Sequence, residues 1–379
     1  METKKVLHVV NNFFGTYLYS ELFSALAKKK VDQTVIVFSR KGQETKFENR
    51  SELPGIKIIN INIKRVYRFH SKLQAKKIIR VLEMNKSINF KSFDKVIAHT
   101  LCANGSVAFE LFKKYHIPFV VAIRNSDINF AYKYFYYLRK YYNRIVKNAE
   151  KIVCLSPASE ARVKDSFIGL SRLIVNKTYI IPNGINKVFF DNTPLPKSKI
   201  ANDKTFKFIF IGDITFNKQI FKLIHYVSKL KSEGVKTHLD IVGRKRRGMK
   251  NYIYYQLFLK HIKDRLFIEY HGFLNDKEKI LQKLNENHCF IMLSRYETFG
   301  LVYIEALSQG LPVIYSKGQG IDGFESLKSV AYGIKSYEEF KKAFIEIRKQ
   351  FNLKSEEAIK VANEFSWTRI SEIYSNVLL

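Results

Sequence analysis

The stretch that most limits how this chain can fold runs from Cys289 to Tyr315. Cys289-Phe-Ile-Met-Leu293 is a short apolar run that reads as a buried strand, and it ends in a polar turn carrying Glu297 before an amphipathic run begins near Gly300. The expected helix faces inward with Leu301, Ile304 and Leu307, stops at Gly310, and passes through Pro312 into a second strand, Val313-Ile-Tyr315. Two parallel strands need a long crossover, and a helix supplies it, so this is a βαβ unit. In open parallel sheets ligands lie outside the carboxyl ends of the strands, which puts the loop from Glu297 to Gly300 where a substrate is expected. Backbone N–H groups at the start of the helix suit a phosphate or a sugar oxygen.

The same alternation runs through the rest of the chain. Apolar strands are predicted at Lys5–Val10, Thr34–Phe38, Ile56–Ile61, Lys95–Ala98 and Phe119–Ile123, then at Lys151–Leu155, Thr178–Ile181, Phe206–Ile211, His238–Gly243 and Leu266–Tyr270, with helical segments between. Such a pattern predicts doubly wound α/β domains. With 379 residues there is material for about two. The polar segment from Asn186 to Lys204, holding Pro194 and Pro196, is the expected linker.

No apolar run approaches the roughly 20 residues that cross a bilayer. Lys4 and Lys5 are not followed by a long apolar core, so no secretory signal is read at the start. Cys102, Cys154 and Cys289 are odd in number and lack metal-ligand spacing, which fits a reducing, cytoplasmic location. The net charge is +31, and it is uneven: residues 1–190 carry 34 Lys and Arg against 13 Asp and Glu. An excess of this kind draws anionic partners such as acidic phospholipid, nucleic acid or a phosphorylated substrate. Two segments mix rings with cations, Lys64–Arg80 and Tyr132–Lys147, the second read as a helix. Both suit an anionic membrane surface on the inner face of the cytoplasmic membrane, and both also suit a helix packed on a sheet with a solvated basic face. Neither shows an RNA-binding motif, so nucleic acid is not expected as a partner.

Candidate polar residues sit at the predicted strand ends. Gly15 follows the first strand and lets backbone approach a ligand, and a plain turn explains it equally. His99 follows Val96-Ile-Ala98, where a substrate contact belongs, although lone histidines are commonly packed. Glu297 and Glu305 are eight residues apart, one on the loop and one in the helix, so both carboxylates can edge one site and accept hydrogen bonds from hydroxyls.

Taken together, Glu297-Thr-Phe-Gly-Leu301 and Glu305-Ala-Leu-Ser-Gln-Gly-Leu-Pro-Val-Ile314 resemble the E-x7-E region of retaining glycosyltransferases with the GT-B fold, those of glycosyltransferase family 4. Pro182-Asn-Gly-Ile185 is similar to the turn that closes the first domain of these enzymes, and Phe365–Leu379 to their last helix. The resemblance implies an α/β fold of two Rossmann-like doubly wound domains facing across a cleft. Residues 1–190 with 365–379 would bind the acceptor and residues 191–364 a nucleotide-sugar, UDP- or GDP-linked. It also implies that Glu297 binds the donor sugar, Glu305 the ribose and Lys218 the diphosphate. Gly212, Gly272, Phe273, Thr298, Phe299, Gly300 and Leu301 would complete the donor site. Where the family carries a histidine-containing turn, this chain has Arg124-Asn-Ser-Asp127. Arg124 and Asp127 are catalytic candidates, Asn125 and His99 acceptor-side candidates, and an Arg–Asp turn pair accounts for the first two equally. The family's companion arginine beside Lys218 is replaced by Asp213, and Arg244-Lys-Arg-Arg247 is a possible substitute. No Asp-x-Asp occurs, so neither metal nor other cofactor is expected. The acceptor would be lipid-linked or an oligosaccharide. A nucleotide-sugar epimerase, a phosphorylase, or a basic binding protein without activity remain the alternatives.

Overall fold

Apolar runs of four to six residues become strands buried on both faces, the condition under which a sheet is parallel throughout. The computed structural model describes residues 4–11, 13, 16–39, 53–63, 69–86, 88–167, 169–194 and 204–379. The chain divides into two units, Met1–Gly184 with Trp367–Leu379, and Ile185–Ser366.

Unit 1 begins with β1 (Lys5–Val10), α1 (Leu18–Ala27), β2 (Asp32–Ser39), β3 (Ile56–Asn62) and α2 (Ser71–Met84). It continues with β4 (Lys95–Ala98), α3 (Asn104–Tyr115), β5 (Phe119–Ala122), α4 (Arg139–Asn148) and β6 (Lys151–Cys154). Next come α5 (Pro157–Ser166), α6 (Ser171–Lys177) and β7 (Thr178–Ile180). Its sheet has the order β3-β2-β1-β4-β5-β6-β7 with every pair parallel. The order in which strands are added therefore reverses between β1 and β4.

Unit 2 opens with α7 (Val188–Asp191), β8 (Phe206–Ile211), α8 (Ile220–Ser232), β9 (Thr237–Val242), α9 (Met249–Ile262) and β10 (Ile268–Tyr270). It goes on through α10 (Lys277–Asn285), β11 (Cys289–Met292), α11 (Leu301–Ser308) and β12 (Val313–Ser316). β13 (Ala331–Ile334), α12 (Tyr337–Lys349) and α13 (Phe351–Ala362) complete it. The order is β10-β9-β8-β11-β12-β13, again parallel, with the reversal between β8 and β11.

Alternation along each strand divides the unit 1 core in two. Leu7 and Val9 face one side with Ile36, Val96, Val121 and Ile152, covered by α2, α3 and α4. Val6 and Val10 face the other with Val35, Ile97 and Val153. That second side is closed by α1 and by α14 (Trp367–Leu378), which brings the end of the chain back to its beginning. Ile370, Tyr374 and Leu378, spaced four apart on one helix face, are all buried there. Each such side chain contributes roughly 1.5–3 kcal/mol of apolar burial. Trp367 fixes the docking: its Nε1 donates to Glu21 Oε2 of α1 at 2.7 Å. Its ring lies so flat on Gly184 that a Cβ there would come within 2.5 Å.

Two local expectations give way. The segment 132–147 is not one helix. A π-helical turn spans Asp127–Tyr132, the helix ends before Phe135, a 3-10 turn covers Tyr136–Leu138, and α4 starts at Arg139. Arg139 stabilises the break by donating to the carbonyls of Tyr132 (2.8 Å) and Lys133 (3.1 Å), and the Tyr137 hydroxyl donates to the carbonyl of Phe69. The expected linker is also partly structured, since it holds α7, whose Phe189 is buried and accepts a hydrogen bond from Gln309. Residues 195–203 of it, 64–68 of the first ring-and-cation segment, and Gly15 lie outside the described residues.

Candidate functional site

At the reversal in unit 2, two loops leave β8 and β11 side by side. Asn217 joins them three times: its carbonyl accepts from Arg295 N (2.8 Å), its Oδ1 from Tyr296 N (3.1 Å), and its Nδ2 donates to the Tyr296 carbonyl (3.0 Å). Lys218, the next residue, ends a 3-10 turn, and Gln219 with φ of 49° then redirects the chain into α8. The result is that Lys218 Nζ lies 2.6 Å from Glu297 Oε2 and 3.3 Å from Met292 Sδ. The two side chains are 19% and 16% exposed, so the pair is screened by solvent less than a surface pair would be.

Glu297 is held by its own backbone as well. Its N–H donates to Gln319 Oε1 (3.1 Å), its carbonyl accepts from Gly320 N (3.2 Å), and its Oε1 accepts from Thr298 N (3.1 Å). Gly300, with φ of 80°, makes the turn into α11, where a Cβ would meet the Tyr303 ring at 2.5 Å. Gly320 is equally tight, because a Cβ there would sit 2.8 Å from the Phe299 carbonyl and 3.2 Å from Glu297 Cγ. Tyr303 fills the space beneath, buried, its hydroxyl donating to the Met292 carbonyl at 2.9 Å. Phe299 is buried against Phe324 and Phe365. Leu301 and Glu305 are half-buried on α11, whereas Ile304 and Leu307 form its buried face.

Asp213 takes a part in this site through its partners. Gly212 N donates to the Val242 carbonyl, and Ile214 pairs with Lys245, which brings the loop after β9 against the loop after β8. Arg244 Nε and Arg246 Nε then lie 3.3 and 2.5 Å from the two Asp213 oxygens. Arg244 also stacks its guanidinium 4.6 Å from the exposed Phe273 ring. Gly243 N donates to the Gly272 carbonyl (2.7 Å), and a Cβ at Gly243 would lie 2.0 Å from the Gly212 carbonyl, so these three glycines form one close backbone layer. The basic cluster therefore sits next to Gly212 and Gly272.

The corresponding ends of β1 and β4 in unit 1 are organised differently. His8 Nδ1 and His99 Nε2 are 3.1 Å apart, and both rings are buried. Burial pushes His8 down to about 3 and, together with His8 and Arg124, His99 well below its ordinary value, so both are neutral at pH 7. Arg124 Nε donates to the His99 carbonyl at 3.2 Å. Asp127 is buried and accepts from the N–H groups of Leu101, Cys102 and Arg124 at 2.9–3.0 Å. Burial raises its carboxyl above the ordinary value, offset in part by those three donors. His99 and Asp127 thus shape this strand end from inside, while Arg124 and Asn125 are half-buried on the loop after β5.

The structure brings Lys218, Glu297, Thr298, Phe299 and Gly300 together, and places Gly212, Gly272 and Phe273 around the arginine cluster. Asn217, Gly243, Gln319 and Gly320 carry no signal apart from the small or amide side chain itself, because each acts on a partner distant in sequence.

A model of the family described as Glycosyl transferases group 1 matches residues 191–362, and one described as Glycosyltransferase Family 4 matches residues 17–188. A probable sucrose-phosphate synthase of Thermosipho melanesiensis is 25% identical over 342 residues, covering 83% of this chain and 73% of that protein. Among solved structures, the sucrose-phosphate synthase from Thermosynechococcus elongatus has a TM-score of 0.70 at 15% identity, covering 99% of this chain and 98% of that one. Anabaena HepE in complex with UDP-glucose has a TM-score of 0.67 at 15% identity, covering 99% of each chain. These likenesses establish the α/β GT-B fold.

Proposed function

Because the chain is a glycosyltransferase of the group 1, family 4 type, we propose that it moves a sugar from a UDP- or GDP-linked donor to a lipid-linked or oligosaccharide acceptor, with retention of anomeric configuration. The observation that carries this reading is the Lys218–Glu297 pair at the carboxyl ends of β8 and β11. A donor would part the two. Its phosphate oxygens would take Lys218 as a point charge, its sugar hydroxyls would donate to Glu297, and the amides from Phe299 to Leu301 would face the oxygens between. Glu305 would accept from the ribose. Arg244 and Arg246, gathered at Asp213, would supply the second positive charge, and Phe273 would stand beside the base.

On this reading the rate enhancement comes from positioning and from charge stabilisation at the departing diphosphate, which can itself take the acceptor's proton. Arg124 and Asn125 would meet the acceptor, with Asp127 holding their loop. We assign the enzyme to cell-surface polysaccharide assembly (capsule, O-antigen or exopolysaccharide). The basic excess of the first half and the exposed rings of Phe69, Tyr134, Tyr136 and Tyr137 support docking on an anionic membrane surface, at the cytoplasmic side. Among the described residues no helix is long and apolar enough to cross a membrane.

The test is a thermal-shift screen against UDP- and GDP-sugars, followed by NMR of the product's anomeric centre with the donor that binds. One nucleotide-sugar should raise the melting temperature of the wild type and leave Lys218→Ala unmoved. If no nucleotide-sugar shifts the wild type, the reading falls. Consumption of the donor without acceptor would favour an epimerase. Co-sedimentation with acidic liposomes, lost as salt rises, checks the membrane part.

A further inference from the structure

At the free edge of the unit 2 sheet, four titratable side chains meet. β10 is the edge strand and pairs in parallel with β9, with Glu269 opposite Asp240. Because side chains alternate along a strand, His238 and Asp240 leave one face of β9, and Glu269 and His271 leave the same face of the neighbouring chain. His238 Nε2 is 3.4 Å from Asp240 Oδ1 and 3.8 Å from Glu269 Oε2. One donor atom from each of His238, Asp240 and Glu269 falls within 4.8 Å of the others, and no second such cluster of histidine, cysteine and carboxylate groups occurs among the described residues.

From this we infer a binding site for a divalent transition-metal ion, with Zn²⁺ the best match to its donors, ligated by His238, Asp240 and Glu269. An imidazole and two carboxylates are ligands Zn²⁺ accepts, and metal–ligand bonds of about 2.1 Å set neighbouring tetrahedral ligands about 3.4 Å apart. The separations around His238 match that edge to within a few tenths of an ångström. Asp240 and Glu269 together bring two carboxylates to within reach of the His238 imidazole. Asp240 is the anchor. Its Oδ1 lies 2.6 Å from His271 Nε2 and 3.4 Å from His238 Nε2, and its Oδ2 accepts from Asn287 Nδ2 at 2.7 Å.

The outer contacts have the form that orients metal ligands. Asn287 Nδ2 donates to Asp240 Oδ2 at 2.7 Å and fixes the plane of that carboxylate, leaving Oδ1 turned to the imidazoles. His271 joins both acids, with Nε2 2.6 Å from Asp240 Oδ1 and Nδ1 3.4 Å from Glu269 Oε1. Half-buried His238 and exposed Glu269 leave a route for an ion from solvent. Since His271 is followed directly by Gly272 and Phe273, an ion held here would also stiffen the loop that carries the Arg244–Phe273 stack. The role is structural, and it stands whether or not the sugar assignment does.

The test uses the full chain without a histidine tag, stripped with a chelator and titrated with Zn²⁺ by calorimetry, and with Co²⁺ as an optical probe. The wild type should take up one Zn²⁺ per chain more than His238→Ala/Glu269→Gln, gain melting temperature with the ion, and show visible Co²⁺ bands that the double variant lacks. Both substituted positions are at least partly exposed, and the melting curves of the metal-free proteins verify that the variant folds. Asn287→Ala should weaken binding by about 10–100-fold without abolishing it. His225→Ala, on α8, should bind as the wild type does. Equal Zn²⁺ uptake by the wild type and the double variant overturns the site.

Discussion

The strand order of the two sheets reverses at equivalent places, between β1 and β4 in one unit and between β8 and β11 in the other, yet the polar groups at the two reversals are used in opposite ways. In unit 1 the carboxylate of Asp127 and the rings of His8 and His99 are buried and turned to the chain itself. In unit 2 the carboxylate of Glu297 is half-buried and meets a lysine from another loop. A parallel sheet offers the same strand ends in both cases, and what differs is burial: Asp127 is enclosed among backbone N–H groups, while Glu297 keeps some exposure beside a lysine. Removing each carboxylate should separate the two uses. Asp127→Ala leaves three buried N–H groups without their acceptor and should cost on the order of 4 kcal/mol of stability, read by urea unfolding. Asp127→Asn, which keeps one oxygen acceptor, should lose roughly half as much. If Asp127→Ala unfolds like the wild type, the internal role is wrong.

Glu297→Gln should do the reverse. It keeps the shape of the side chain and the contact with Thr298, changes stability by no more than about 1 kcal/mol, and lowers turnover by roughly 10²-fold, equivalent to about 2.7 kcal/mol in the transition state. Wild-type turnover in this variant would remove Glu297 from the site. Gly300→Ala falls between the two. Its positive φ and the Tyr303 ring at 2.5 Å from any Cβ should together cost about 1–3 kcal/mol and distort the Glu297 loop, so stability and turnover should fall together. A variant that lost turnover alone would show that the loop tolerates the strain.

The sequence displayed the parts of this arrangement that are local. The strand Cys289–Met292, the glycine before α11 and the proline after it are punctuated within 25 residues, and the structure follows them closely. The segment 132–147 was misread because rings and cations at helical spacing carry no sign of what interrupts them. Asp127, pinned to Leu101 and Cys102, holds the turn that precedes it, and Arg139 closes the carbonyls that the break exposes. Lys218 and Glu297 are 79 residues apart, and the latch made by Asn217 depends on two strands lying side by side. His238, Asp240, Glu269 and His271 are invisible for the same reason: each pair has period two, and only the register of β9 with β10 joins them.

Acid should expose the same contrast more gently. A histidine whose folded pKa is depressed contributes stability that is complete above its ordinary pKa of about 6.5 and is lost as pH falls toward the folded value, because the unfolded chain takes the proton first. For His8 the folded value is about 3, so the window runs from about pH 6.5 down to 3, and His99 acts in the same direction. Each ring should remove up to about 1.4 kcal/mol per pH unit below 6.5. In unit 2, Asp240 is held below the ordinary carboxylate range, so its contribution is present above about pH 4 and begins to fail only below it. Trp367, the single tryptophan, belongs to unit 1 and is docked on α1. Its fluorescence-monitored unfolding should therefore weaken between pH 6.5 and 4, and His8→Phe, which keeps a ring against Phe23, should flatten that slope by about half. An equal slope in both proteins would mean that the buried histidines take up protons without unfolding the strands around them, and that the reversal in unit 1 is as open to water as its counterpart.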